Sequence, residues 1–175
     1  AQVLINKVKS KCCGIKDIEA KLHRLDTEYN NSILDPDLPI FYSKLAVIEF
    51  SGWMEDSVDS IVYDYIDNHI VDPIVKQNIK KNVQGNFGFN YYSNLFKVFT
   101  SVLGVDTWEN IEDKLKPQNL ANLVNVTSTF TGIRNKAAHS SIVVTTTFSS
   151  PSTTIAAYNK VKPAMMIIEN EISSL

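Results

Sequence analysis

Cysteine is nearly absent: the 175 residues contain two, adjacent at Cys12 and Cys13. Neighbouring cysteines cannot staple distant segments, so a disulfide scaffold is excluded. A zinc site of ordinary Cys/His spacing is excluded with it. Arginine is equally scarce, with only Arg24 and Arg134 against fifteen lysines. The 17 basic and 19 acidic side chains leave a net charge of -2. That balance argues against a protein that wraps nucleic acid over its whole surface, but leaves room for a local basic site. No run of about eighteen apolar residues occurs, so no membrane span is expected. Residues 1–20 are lysine-rich and only patchily apolar, unlike a secretory signal, and the cytoplasm is the expected compartment. An apolar content of 44% argues against disorder. The length suits one domain, 1–175, able to bury a core.

The apolar residues that are present recur with a helical period. Leu45, Ile48, Val58, Ile61, Val62, Tyr65, Ile66 and Ile70 form a stripe, with Glu49, Glu55, Asp56, Asp59 and Asp64 mostly off it. Asp35-Pro36-Asp37 and Pro39 break the chain before this segment. They separate it from an N-terminal helical region within 1–36, with a helix at about Ile15–Ile33 and a weaker one near Val3–Lys11. Asp72-Pro73 predicts a capped helix start, with its end near Val83. Tyr91–Leu103 predicts a helix closed by Gly104, and a short helix follows near Thr107–Leu115. Pro117 begins a helix with Leu120, Leu123, Val124, Thr127, Phe130 and Ile133 on one face, running to Ala138 and His139. Residues 142–154 lose the period and read as a loop or short β-arm, with Ile142–Phe148 able to reach another protomer. The final helix is expected over 154–173, kinked or delayed by Pro163. The expected fold is an all-α, up-and-down helical bundle with one late excursion.

Three histidines keep the search for chemistry short. His23 lies in a charged stretch and reads as a surface residue. His69 ends a long helix, where a capping or packing role suits it. His139 follows Ile133-Arg134-Asn135-Lys136-Ala137-Ala138. Asn135 and His139 are four apart and share a helix face, with Arg134 and Ala138 on the adjacent row. A permanent cation, an amide and a titratable imidazole suit phosphodiester cleavage. Arginine holds non-bridging oxygens as charge develops, and the imidazole moves a proton. No carboxylate cluster accompanies the patch, so a mechanism without metal or cofactor is expected.

The string Ile133-Arg134-Asn135-Lys136-Ala137-Ala138-His139-Ser140 resembles the signature of HEPN domains, small α-helical bundles that carry it near their last two helices. Phe50-Ser51-Gly52-Trp53-Met54-Glu55 also resembles segments of bacterial HEPN proteins. The resemblance covers most of the chain as architecture, but its specific part is short. It implies a metal-independent endoribonuclease acting as a homodimer with a composite site. In such a site the RNA 2′-hydroxyl attacks the adjacent phosphate. Arg134 would bind the phosphate, Asn135 would position it or the imidazole, and His139 would act as acid or base. Many relatives are toxins or phage-defence components, so a separately encoded antitoxin or regulatory protein is an implied partner. One toxin subfamily has Tyr two positions after the histidine, and Ser141 stands there instead. Other relatives are non-catalytic modules that bind a protein or nucleotide. That is the alternative, with a chance motif in an unrelated bundle as the third reading.

Other features read more plainly. Lys76, Lys80 and Lys81 form a basic turn, and Lys80, Lys81 and Lys136 are candidate RNA-binding cations. Lys97, Lys160 and Lys162 would join them if the bundle brought them near Arg134. Phe87, Phe89, Tyr91, Tyr92, Phe96 and Phe99 could stack bases, but core and loop packing is the simpler expectation. Trp53 and Trp108 read as core or interface anchors. Cys12-Cys13 reads as structural.

Overall fold

The computed structural model describes residues 15–140 and 147–175, with side chains from Ile18 onward. The expected helix near Val3–Lys11, the Cys12-Cys13 pair and most of the expected arm lie outside the described residues.

Among the described residues, seven α-helices pack together: α1 (Ile15–Asn31), α2 (Leu38–His69), α3 (Pro73–Gln84), α4 (Phe96–Leu103), α5 (Val105–Lys114), α6 (Pro117–His139) and α7 (Pro151–Ser173). A π-helical turn at Tyr91–Leu95 leads directly into α4. Among the described residues there is no strand. The all-α expectation therefore holds for them, and none of their helices is long and apolar enough to cross a membrane.

Helix α2 is the axis of the assembly. It packs against α1, α3, α6 and α7. A helix with neighbours on several sides must be apolar or small around much of its circumference. Accordingly Ala46, Val47, Phe50, Trp53, Met54, Val58, Ile61, Val62 and Ile66 are buried, with Ser43, Ser51 and Ser57 between them. The buried Ser51 hydroxyl donates to the Val47 carbonyl at 2.7 Å, so its polarity is satisfied within the helix. In the downstream half of the expected stripe Val58, Ile61, Val62 and Ile66 are buried, and Tyr65 and Ile70 partly so. Upstream the inward face is Ala46, Val47 and Phe50, while Ile48 stays exposed. Phe50 meets Phe130 of α6 edge-on at 4.9 Å, and Trp53 meets Tyr158 of α7 at 5.0 Å. One turn of α2 thus ties three helices together through aromatic rings.

Proline marks starts here more than breaks. Pro39, Pro73, Pro117 and Pro151 each lie in the first turn of a helix. A missing N–H costs nothing there, because first-turn donors lack helical partners. Helix α2 therefore begins at Leu38 and runs through the expected break at Pro39, and α7 begins at Pro151 instead of 154. The expected loop over 142–154 is corrected accordingly: 147–150 is irregular and 151–154 is helical. Asp35, not Asp37, caps α2, accepting from the backbone N–H of Asp37 at 2.9 Å and of Leu38 at 2.8 Å. These bonds to its ionised form hold the Asp35 carboxyl below its ordinary range. Asp72 caps α3 as read, accepting from Ile74 N–H at 2.8 Å and Val75 N–H at 3.0 Å. Pro163 lies inside α7 without ending it. Pro163 and Asn159 are both exposed, so the carbonyl deprived of its donor is on the solvent side.

Tyr91–Leu103 is not one regular helix as expected. Its first turn is π-helical, and Leu95 N–H reaches back five residues to the Asn90 carbonyl at 3.1 Å. Tyr91 N–H is taken by the buried Thr127 hydroxyl of α6 at 3.1 Å. The Tyr91 hydroxyl donates to Glu112 of α5, and burial with this carboxylate holds the phenol well above its ordinary range. Gly104 ends α4 with φ +87°, a backbone angle that favours glycine.

Replacing the central aromatic should matter far more than removing a cap. Phe50→Ala is expected to lower the unfolding free energy by about 3–5 kcal/mol. Asp72→Ala should cost about 1 kcal/mol. Urea unfolding of both variants checks the order, and similar costs would displace α2 from the centre.

Candidate functional site

Residues Arg134, Asn135, Lys136 and His139 occupy the last two turns of α6, and His139 is its final helical residue. The amphipathic part of α6 buries Leu123, Val126, Thr127 and Phe130, then Ala137. Ala137 takes the inward position of the last turn, which leaves Asn135, Lys136, Ala138 and His139 exposed. Asn135 and His139 thus present one exposed face, one turn apart.

Arg134 lies on the flank towards α2. Its side chain is 39% exposed, and Nη2 sits 3.7 Å from Glu55 Oε1. Nη1 donates to the Asn135 side-chain oxygen at 3.4 Å, at the long end for a hydrogen bond. The guanidinium is therefore oriented loosely by two acceptors and keeps donors free for an anion. Glu55 Oε1 is inaccessible to solvent and has no hydrogen-bond partner among the described residues. Burial raises the Glu55 carboxyl above its ordinary range, Arg134 opposes that, and Asp56 adds to it.

A second tie holds the end of α6. Lys44 of α2 donates to the Ser140 carbonyl, and its ammonium lies 5.8 Å from the centre of the Phe148 ring. Helices α2 and α6 run antiparallel, since Glu55 pairs with Arg134 while Lys44 reaches Ser140. The Arg134–His139 turn is thus held between two contacts from one helix. Sequence reading missed both Glu55 and Lys44. Only the resemblance of Phe50–Glu55 pointed at that stretch, and nothing local marks Lys44.

The remaining candidates are elsewhere. Lys80 of α3 bonds both oxygens of Asp67 at 2.8 and 2.7 Å, and Lys76 lies 3.3 Å from the same carboxylate. Lys81 is exposed beside them, in a shallow hollow with Pro73, Gln77 and Gln84. Asp67 lies about 18 Å along α2 from Glu55, the partner of Arg134, and about 35 Å from Lys44, at about 1.5 Å per residue. Within one copy, the α3 lysines are therefore not brought to the Arg134–His139 turn. Lys162 pairs with Glu19 at 2.8 Å, which lowers the Glu19 carboxyl and raises the Lys162 ammonium. His23 is exposed on α1. His69 stacks on Tyr65 at 4.2 Å and shares a 2.9 Å hydrogen bond with its carbonyl, a packing role at a helix end. Phe89, Tyr91 and Phe99 are buried and Phe96 partly so, whereas Phe87 is 87% and Tyr92 65% exposed.

Beside the Glu55 side of the signature lies a cavity of about 290 Å³. Its lining comprises Glu55, Val58 and Asp59 of α2, Gln84 at the end of α3, Asn86–Gly88, and Leu95 with Val98. Asp59 makes no hydrogen bond or ion pair among the described residues. Burial raises its carboxyl above the ordinary range, with Asp56 and Glu55 adding to the effect. Among the described residues, no group of three or more His, Cys, Asp or Glu is arranged to hold a metal ion.

Compared with known proteins, the chain matches no family model, no curated protein and no solved structure.

The raised Asp59 pKa carries a pH signature. A carboxyl with a higher pKa in the folded than in the unfolded state loses stability as pH rises through that interval. Its ionised form therefore costs the fold near neutrality, and the cost vanishes below the ordinary value of 3.8. Asp59→Asn is expected to raise Tm at about pH 7 and to leave it nearly unchanged at about pH 3. Equal shifts at both pH values would assign the effect to packing.

Proposed function

We propose that the chain is a HEPN-type endoribonuclease that cleaves RNA without a metal, at a composite site formed by two copies. The observation that carries this reading is the last two turns of α6. They present Asn135 and His139 on one exposed face beside an arginine held by Glu55. This is the arrangement that the Arg-Asn-x-x-x-His string requires if it is to work on a phosphodiester.

The chemistry follows from the groups. His139 takes the proton of the 2′-hydroxyl. The 2′ oxygen bonds to phosphorus, and the phosphorus–O5′ bond breaks. A proton then returns to the departing 5′ oxygen, leaving a 2′,3′-cyclic phosphate and a 5′-hydroxyl. Arg134 offsets the charge that builds on the non-bridging oxygens. One imidazole cannot be proton acceptor and proton donor in the same step. A second copy supplies the other, together with a second Arg134, which concentrates positive charge that the chain as a whole lacks. A toxin or phage-defence role and a separately encoded antitoxin follow from the resemblance alone. The non-catalytic module remains the second reading, and an inert protein that still binds RNA or a neighbouring protein favours it.

His139→Ala is expected to reduce cleavage of single-stranded RNA in EDTA by about 10²–10⁴. Arg134→Ala should also abolish it, and both variants should fold and assemble as the parent does. Full activity in both would remove the assignment. Salt titrations give an independent check. Lys136→Ala should weaken RNA binding for all sequences and reduce the salt slope by about 1. Lys80→Ala, already neutralised by Asp67, should leave that slope nearly unchanged.

A further inference from the structure

The cavity beside Glu55 has three kinds of wall. Val58, Leu95 and Val98 are buried and apolar. Asp59 and Glu55, one turn apart on α2, contribute carboxylates, and Gln84 and Asn86 contribute amides. Phe87 is the exposed aromatic at its rim.

That rim is built, not left to chance. The Asn94 amide donates to the Phe87 carbonyl at 2.8 Å and to Asn86 Oδ1 at 3.3 Å. Asn86 returns a bond to the Asn94 carbonyl at 3.2 Å. Gly88 has φ +107°, and a Cβ there would stand 3.3 Å from Asn94. The backbone on both sides of Phe87 is therefore pinned while its ring remains in solvent. An exposed phenylalanine on a fixed backbone resembles the stacking platforms used for unpaired bases.

The cavity lies at the small end of ligand sites, about 300–1,000 Å³. Its apolar walls suit a flat ring. The carboxylates demand donors on the edge of that ring. Adenine, cytosine and uracil each offer only one donor position along the Watson–Crick edge: adenine and uracil alternate it with acceptors, and cytosine follows it with two acceptors. Guanine alone offers two adjacent donors, N1–H and the N2 amino group, which match the two oxygens of one carboxylate. The acidic lining repels a phosphate, so the backbone stays outside with Arg134, whose Nη2 is 3.7 Å from Glu55. Base and phosphate would then be held on opposite sides of one glutamate.

We infer that this cavity is a guanine-recognition site for single-stranded RNA, with Asp59 reading the Watson–Crick edge and Phe87 stacking on the base. The inference rests on the ribonuclease reading and gives it a sequence preference. Asp59 also fits as a residue kept for a ligand, because its ionised form costs the fold and no protein donor among the described residues compensates it.

The test uses full-length His139→Ala protein, which removes cleavage from the measurement. Anisotropy titrations compare short labelled uridine oligonucleotides carrying one central guanine, adenine or cytosine, or none. The guanine RNA should bind about 10-fold more tightly than the others. Adding Asp59→Asn should erase that preference, and unfolding cannot explain the loss if the Tm at neutral pH rises. Adding Phe87→Ala should weaken binding of all four, since stacking tolerates every base. Equal affinity for the four RNAs, no binding to any, or a guanine preference that survives Asp59→Asn would each overturn the inference. The ribonuclease reading fails separately: guanine-selective binding with no cleavage by the parent protein would discard the nuclease and keep the pocket.

Discussion

The burial of α2 on several sides is the constraint on which the other elements depend. Phe50 and Trp53 occupy its middle, and their rings meet Phe130 of α6 and Tyr158 of α7. Burying such rings is worth several kcal/mol, against a net stability of about 5–15 kcal/mol for a domain. The same contacts set the relative height of α2 and α6. Given that height, Glu55 meets Arg134 and Lys44 meets the end of α6. The position of the Arg134–His139 turn is a consequence of core packing one and a half turns below it.

This arrangement separates two jobs along one helix. The first part of α6 is a core element, with Leu123, Val126, Thr127 and Phe130 inward. Its last two turns bury only Ala137 and leave polar groups outside. A small residue at the inward position keeps the helix close to its neighbours without a large side chain to anchor. The polar contacts from α2 provide the anchoring instead. Such contacts are individually weak at a half-exposed site, so they orient more than they stabilise.

Much of this was legible in the sequence, and what was not has identifiable causes. The long helices declared themselves through period. Their starts were misread where proline was taken as a break at Pro39 and overlooked as a start at Pro151, although both serve as first-turn residues. The faces shared by Asn135 and His139 follow from spacing alone. Glu55 and Lys44 could not be found that way, because their partners lie far along the chain and only packing introduces them. The π-helical turn was equally invisible, since it depends on Thr127 accepting the Tyr91 N–H. The α3 lysines look like a nucleic-acid patch in sequence, yet two of them are committed to Asp67.

That π-helical turn has an evolutionary consequence. Each residue of an α-helix advances the chain by about 100° of rotation. The π-helical turn at Tyr91–Leu95 holds one residue more than an α-turn, so the flanking segments keep their register where an extra residue in a regular helix would have rotated Phe87 and its neighbours by that amount. A one-residue length change in this turn is thereby taken up without disturbing α2 or α6.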